Sequence, residues 1–244
     1  MKIINYVYFI FLLFLSMLLF DCQGNQSVES PFDGSDQPKL EDYYDSSKDS
    51  AQNNSTSDGI SEDYINTNRV LWQKPEMIIQ LMGDIDNKVV ADLGAGGRGF
   101  FSLRIAPKAQ KVIALDTDEA AVRSLDTIRQ LQLPEAIQPK LEVRLTPPGE
   151  PNLKENEVDI VFMSNVYIYL PDRLAYMKKL RSLLKESGKV MIVDFKKKRT
   201  PIGPNSAFRV PLYMVEQELE EAGFKNIQSN DTALDYQYIV IAEK

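Results

Sequence analysis

Val89-Val90-Ala91-Asp92-Leu93 runs directly into Gly94-Ala95-Gly96-Gly97-Arg98-Gly99, and Lys111-Val112-Ile113-Ala114-Leu115-Asp116 follows. Short apolar runs on either side of a glycine cluster read as strand, turn, helix, strand. Two strands joined this way lie parallel, because the helix must cross over the face of the sheet between them. The same alternation continues downstream. Strands are predicted at Lys88–Asp92, Val112–Asp116, Leu141–Leu145, Val158–Met163 and Val190–Phe195, with a final pair at Lys225–Ser229 and Tyr236–Ala242. Pro75 opens a helix through Met77, Ile78, Leu81 and Met82, and a second helix covers Gly99–Ala106. Asp118 caps a third, with Ala121, Leu125, Ile128 and Leu131 inward. Asp172 caps a fourth, with Leu174, Met177, Leu180 and Leu184 inward and an end at Gly188; Gly223 stops a fifth over Val215–Ala222. Such alternation specifies an α/β domain.

The domain occupies residues 64–244, and what precedes it differs in kind. Residues 1–22 read as a signal peptide or membrane anchor, with Ile3 to Phe20 uncharged and almost wholly apolar. Lys2 before this run and Asp21 after it place the N-terminus in the cytoplasm and the remainder across the membrane. Leu18-Leu19-Phe20-Asp21-Cys22 resembles a bacterial lipoprotein signal, except that Asp21 stands where a small residue is usual. A plain anchor helix is the other reading. Residues 23–63 carry ten Asp/Glu against two Lys, a net charge of −8, and few aliphatic side chains. That stretch buries too little apolar surface to offset its ordering entropy and is expected to be a disordered acidic linker. The whole chain carries −7, and Lys2 cancels Asp21, so residues 64–244 hold about +1.

Cys22 is the sole cysteine and the chain has no histidine. An internal disulfide, a Cys or His metal site and histidine-assisted nucleophilic catalysis are all excluded. No metal is expected. Lys196-Lys197-Lys198-Arg199 is the one dense basic cluster, without the interleaved aromatics that would suggest nucleic acid.

Ligands of a parallel sheet bind beyond the carboxyl ends of its strands. Asp92, Asp116, the loop after Leu145 and Ser164-Asn165 all fall there. Asp116, at the end of the second strand, is placed to accept hydrogen bonds from ribose hydroxyls. Gly94-x-Gly96-x-x-Gly99 also satisfies the dinucleotide pattern, which keeps NAD as a competitor. Asp92 beside the glycine turn would repel a pyrophosphate but suits the cationic S-adenosylmethionine.

On these residues the chain resembles the class I S-adenosylmethionine-dependent methyltransferases over roughly residues 66–244. Asp92-x-Gly94-x-Gly96 resembles their first motif, Asp116 their ribose-binding acid, Leu145-Thr146 their adenine-flanking segment, and Ser164-Asn165-Val166-Tyr167 the segment next to the reactive methyl. The resemblance implies a Rossmann-like seven-stranded mixed sheet with helices on both faces and the last strand antiparallel. It implies S-adenosylmethionine as cofactor, held by Asp92, Gly94, Ala95, Gly96, Asp116, Thr117, Leu145, Thr146 and Asn165. The chain is more closely similar to an uncharacterised bacterial subgroup, through Arg69-x-x-Trp72-Gln73-Lys74-Pro75, Asp194-Phe195-Lys196-Lys197 and Tyr236-Gln237-Tyr238. It departs from that subgroup twice. Gly97-Arg98-Gly99 holds one residue more than the usual turn, and Tyr167-Ile168-Tyr169 stands where the subgroup tends to have a His pair.

Methyl transfer needs a base only when the acceptor keeps its proton. Asp194 is the first candidate, with Tyr167 and Tyr169 as further candidates or walls of the acceptor pocket. The expected acceptor is a small molecule or lipid, and the membrane is reached through the N-terminus. Export conflicts with a cofactor made in the cytoplasm. Three readings therefore stay open: a membrane-tethered methyltransferase, an exported binding protein of the same fold, and a nicotinamide-dependent oxidoreductase.

Overall fold

The computed structural model describes residues 62–244, with side chains from Asn68 onward. The expectations for the anchor and for the acidic linker up to residue 61 lie outside the described residues. Among those described, no helix is long and apolar enough to cross a membrane.

Seven strands form one sheet: β1 (Val89–Leu93), β2 (Lys111–Asp116), β3 (Leu141–Leu145), β4 (Val158–Ser164), β5 (Leu184–Phe195), β6 (Lys225–Asn230) and β7 (Gln237–Glu243). Their order is β3-β2-β1-β4-β5-β7-β6. Pairs among β1 to β5 are parallel, and β7 runs antiparallel to both β5 and β6. The fold is the Rossmann-like mixed sheet that the resemblance implied. Strand order reverses between β1 and β4, so the two loops after those strands diverge and leave a crevice.

Side chains alternate across the sheet with period two and build two cores. On one face Val90, Val112, Ile160, Phe162, Met191 and Val193 pack with Ile78, Ile79, Ile105 and Leu125. These belong to α2 (Pro75–Leu81), α3 (Ser102–Ile105) and α4 (Glu119–Gln132). On the other face Ala91, Leu93, Val161, Met163, Val190 and Ile192 pack with Met177, Leu180, Val215 and Leu219. Those four come from α5 (Arg173–Leu183) and α6 (Leu212–Glu221). All seven residues of β4 are buried, which is why its apolar run is unbroken. Asp118 and Asp172 cap α4 and α5 as expected, accepting from the backbone N–H groups of Ala120 and Ala175.

Three expectations need correction, and one helix is new. The helix over Gly99–Ala106 shrinks to the single turn Ser102–Ile105, because Gly99 sits at φ +55° and cannot open a right-handed helix. Gly188 does not end a helix. It lies within β5, where Val158 pairs with Leu184 and then Ile160 with Lys189, so the longer strand bulges. Leu131 is 79% exposed rather than inward. A helix unforeseen in the sequence, α1 (Glu62–Gln73), precedes α2; left-handed Lys74, at φ +48°, separates the two.

Candidate functional site

A cavity of about 220 Å3 opens at the carboxyl ends of β1 and β4, where the strand order reverses. Asp92, Gly94, Ala95 and Gly96 line one side, Ser164 and Asn165 another, and Arg69, Phe100 and Phe101 close it. Its size is at the small end of ligand sites. Gly96 has φ +68°, and a Cβ built on it would meet nothing within 4 Å. The backbone there faces open space and can approach a ligand closely.

Asp92 is 3% exposed and accepts a 2.5 Å hydrogen bond from the Ser102 hydroxyl. Burial pushes its carboxyl up to about 6; the Ser102 bond and the Arg69 guanidinium pull it down, and the neighbouring Asp116 charge adds to the rise. Asp116 ends β2. One of its oxygens accepts from the Gly96 N–H at 2.8 Å and the other from the Asp118 N–H at 3.0 Å. Each oxygen keeps a further lone pair for a hydroxyl donor. The ribose candidate and the glycine turn are therefore one hydrogen-bonded unit.

The loop after β3 is tied to the same strand end. The Thr146 N–H donates to the Asp116 carbonyl, and its hydroxyl bonds the Glu150 carbonyl. Thr146 is buried, while Leu145 is 46% exposed and Thr117 is exposed. Leu145 thus offers an apolar surface beside Asp116.

Asn165 adopts φ +62° and lies on the cavity wall. Its side-chain oxygen accepts from Gln237 Nε2, and its N–H donates to the Val193 carbonyl. Gln73, fully buried at the end of α1, donates to Ser164 Oγ at 2.8 Å. Trp72 packs against Phe195 and Tyr236, with ring centroids 5.8 and 6.4 Å away. The three segments that carry the subgroup likeness are thus joined through α1 at the ends of β4, β5 and β7.

The candidate bases sit elsewhere. Asp194 is fully buried on the α5–α6 face, opposite Tyr238 in the β5–β7 pair. Its Oδ1 accepts the Phe195 N–H, and Oδ2 meets no donor at bonding geometry. Burial pushes the carboxyl up to about 7, against the pull of the Phe195, Ile168 and Tyr167 backbone and the Arg209 charge. Tyr167 is also fully buried, and its hydroxyl donates to Glu218 on α6 at 2.6 Å. Arg173 clamps the same carboxylate through Nε and Nη2. Burial and the Glu218 carboxylate raise the Tyr167 phenol far above its ordinary range. Neither Asp194 nor Tyr167 lines the cavity. Tyr169 is half-buried on the short 3-10 turn Tyr167–Tyr169.

Ser164, which the sequence placed at a ligand-binding strand end, lines the cavity; Arg69, Phe100 and Phe101 line it too and were absent from the residues assigned to the site from sequence. Arg69 and Ser164 stood within the quoted motifs, so the signal was present. Phe100 and Phe101 carried none, since they became visible only when the glycine turn failed to start a helix.

The comparisons agree with this geometry. Residues 91–190 match the methyltransferase domain family. An S-adenosylmethionine-dependent methyltransferase from Aquifex aeolicus superposes with a TM-score of 0.65 at 23% identity, over 76% of this chain and 99% of that one. Another from Mesorhizobium loti gives 0.57 at 14%, over 69% and 96%. The cyclase SpnF gives 0.61 at 12%, over 72% and 81%. No curated protein matches the sequence. At these identities the structural likeness is one of fold.

Proposed function

We propose that this protein is an S-adenosylmethionine-dependent methyltransferase acting on a small-molecule or lipid acceptor. The observation that carries the reading is the cavity at the β1/β4 reversal, with buried Asp92 on its wall and Asp116 bonded to its glycine turn. The domain match and the neighbours described as S-adenosylmethionine-dependent support that cofactor. The residues present fit it chemically. Asp92 offers a carboxylate to a cationic amino-acid end, Asp116 holds ribose hydroxyls, and Leu145 covers an adenine face.

The nicotinamide reading is weaker on two counts. Two carboxylates border the turn where a pyrophosphate would lie. In addition, α3 is one turn long and starts beyond Gly99, so it supplies little helix dipole to an anion.

S-adenosylmethionine brings an already activated methyl group, so the protein's work is to bind, orient and exclude water. Asn165, fixed by Gln237, sets the wall where the acceptor would meet it. Asp194 remains the proposed proton acceptor for a protonated nucleophile, reached only if the chain after β4 shifts. A second reading, a binding protein of this fold without turnover, is favoured by one observation: neither candidate base lines the cavity as it stands. Tethering at a membrane by the N-terminal segment belongs to the same proposal.

The test is transfer of a labelled methyl group from S-adenosylmethionine, by the full chain in detergent, to fractionated bacterial extract. Label in the organic phase identifies a lipid acceptor, and label in the aqueous small-molecule fraction identifies a soluble one. Binding of S-adenosylmethionine without label in any fraction would favour the non-catalytic reading.

A further inference from the structure

The chain after β5 carries the one dense basic cluster, Lys196-Lys197-Lys198-Arg199, and it lies outside the cavity lining. Phe195 ends β5 beside β4, so the cluster leaves the same edge of the sheet as Ser164 and Asn165 on the cavity wall. A run of lysines is ordinarily a loose, solvated loop. This one is clamped. Arg209, 3% exposed, donates from Nη1 to the Lys196 and Lys198 carbonyls, from Nη2 to that of Ile202 and from Nε to that of Pro204. A buried guanidinium is thus spent on the backbone of a single loop, and its centre lies 5.0 Å from the Phe195 ring centroid. Gly203, at φ +89°, closes the loop on the same ring, where a Cβ would come within 2.5 Å. With these carbonyls turned in to Arg209, the side chains of Lys197, Lys198 and Arg199 stand exposed. Among the described residues no ion pair or hydrogen bond engages them. Lys196 turns in instead, to the Leu234 carbonyl, and Asp231 and Asp235 lie toward it rather than toward the other three.

Apolar surface adjoins these cations. Trp72 of α1 packs on Phe195, and Lys74 and Lys196 donate to the consecutive carbonyls of Ala233 and Leu234. The end of α1 therefore stands beside the start of the basic loop, and on it Leu71 is 73% and Val70 46% exposed. Fixed, unneutralised cations next to exposed aliphatic side chains suit an anionic lipid surface, whose headgroups meet the charges while the aliphatic groups enter the interface. The rest of the chain points to the same occupant. Residues 3–20 are uncharged and almost wholly apolar, and residues 21–61 run from them into α1, which holds the domain near any membrane that the apolar run enters. We propose that Lys197, Lys198 and Arg199, with the exposed end of α1, dock the carboxyl edge of the sheet on an anionic phospholipid membrane. The inference rests on the membrane tethering proposed above and deepens it: docked in this way, the edge that carries the cavity faces the membrane, and the methyl acceptor is drawn from the lipid phase.

The test mixes the full chain with vesicles of phosphatidylcholine alone, or with vesicles in which about a third of the lipid is phosphatidylglycerol. The mixtures are briefly acetylated, and modification of Lys197 and Lys198 is read by mass spectrometry against exposed Lys225, which pairs opposite Glu243 toward the far end of the sheet. Phosphatidylglycerol is expected to protect Lys197 and Lys198 roughly 5- to 20-fold and leave Lys225 unchanged, and salt at about 0.5 M should remove the protection. Arg199→Glu keeps both lysines as reporters and should cut the protection several-fold. Equal reactivity in the two kinds of vesicle would overturn the proposal. Protection already present with neutral vesicles would assign the loop to the chain's own acidic residues 23–63 and overturn it too. Protection by inorganic phosphate with neutral vesicles would make the loop a site for a free anion, with the same consequence. Sedimentation of the same mixtures separates the docking from the tethering. A chain that sediments with both kinds of vesicle while its lysines react equally is tethered but not docked, which overturns the docking alone. Sedimentation only with phosphatidylglycerol, with the lysines protected, would end the tethering by the N-terminal segment and uphold the docking.

Discussion

Under the proposed cofactor reading, Asp116 is the residue on which the nucleoside end of the site depends. Its oxygens each hold one backbone N–H and each have room for a ribose hydroxyl. Asp116→Ala should lower the affinity for S-adenosylhomocysteine roughly 10- to 100-fold, the size of one or two charge-assisted hydrogen bonds. Unchanged affinity would remove Asp116 from the site. Asp92 predicts a pH dependence. Its carboxyl, pushed up to about 6 by burial, must be ionised to accept an ammonium. Affinity should therefore fall as the pH drops through about 6 and level off above it, and titrations at pH 5 and pH 7.5 would show it. Asp92→Asn should flatten that profile. Tyr167 predicts the opposite kind of result. Its hydroxyl is bound to Glu218, away from the cavity. Tyr167→Phe should cost about 1 kcal/mol of stability and leave the binding of S-adenosylhomocysteine unchanged. A thermal melt and one titration check both halves; a large loss of affinity without loss of stability would return Tyr167 to the site.

Among the elements, α1 decides whether the cavity is closed. Gln73 ties it to Ser164, Trp72 packs it on Phe195 and Tyr236, and Arg69 reaches the cavity from it. Gln73→Ala removes the bond to Ser164 and the bond that Arg69 Nε donates to Gln73 together. Amide hydrogens of α1 should then exchange faster, and cofactor affinity should fall, while exchange in β1, β2 and β4 stays slow. Protection of α1 at the wild-type level would mean that Trp72 alone holds it. β1, β2, β4 and β7 were legible in the sequence as short, mainly apolar runs, and β4, buried on both faces, is the clearest case; the first half of β5, Leu-Lys-Glu-Ser-Gly-Lys, carries no such run and was missed. Helix extents were less legible. Gly99 looked like a helix start, yet its left-handed φ is required where Leu125 packs: a Cβ there would come within 2.3 Å of Leu125 Cδ1. Gly188 looked like a helix stop, yet it serves the bulge of β5, where a Cβ would lie 2.8 Å from the Lys185 carbonyl oxygen. Both glycines answer to tertiary neighbours that no local pattern records. α1 was missed for a related reason, since its sequence Glu-Asp-Tyr-Ile-Asn-Thr-Asn-Arg has little apolar periodicity and its hold comes from Trp72 and Gln73 at one end.

For the molecule as a whole, two buried carboxyls set a pH dependence of stability. Asp92 and Asp194 hold their protons in the folded state up to about 6 and about 7, whereas an unfolded Asp loses its proton near 4. Between those values the folded state binds more protons than the unfolded one. The contribution of these groups is complete below about 4 and is lost as the pH rises through 6 and 7. Asp194→Asn should therefore gain stability relative to the wild type as the pH rises from 5 to 8, read by urea unfolding at both values. A difference that does not change with pH would mean that Asp194 is not held neutral. Of the residues assigned to a cofactor from the sequence, Asp92, Gly94, Ala95, Gly96 and Asn165 line the cavity because they stand at the ends of β1 and β4, where the strand order reverses, whereas Asp116, Thr117, Leu145 and Thr146 lie outside its lining. Arg69, Phe100 and Phe101 were not legible as cavity residues, because their place depends on how α1 and the glycine turn pack. The most direct measurement is calorimetric titration of the full chain in detergent with S-adenosylmethionine, S-adenosylhomocysteine and NAD. The account predicts binding of the first two at micromolar concentrations and none of NAD. Binding of NAD alone would contradict it.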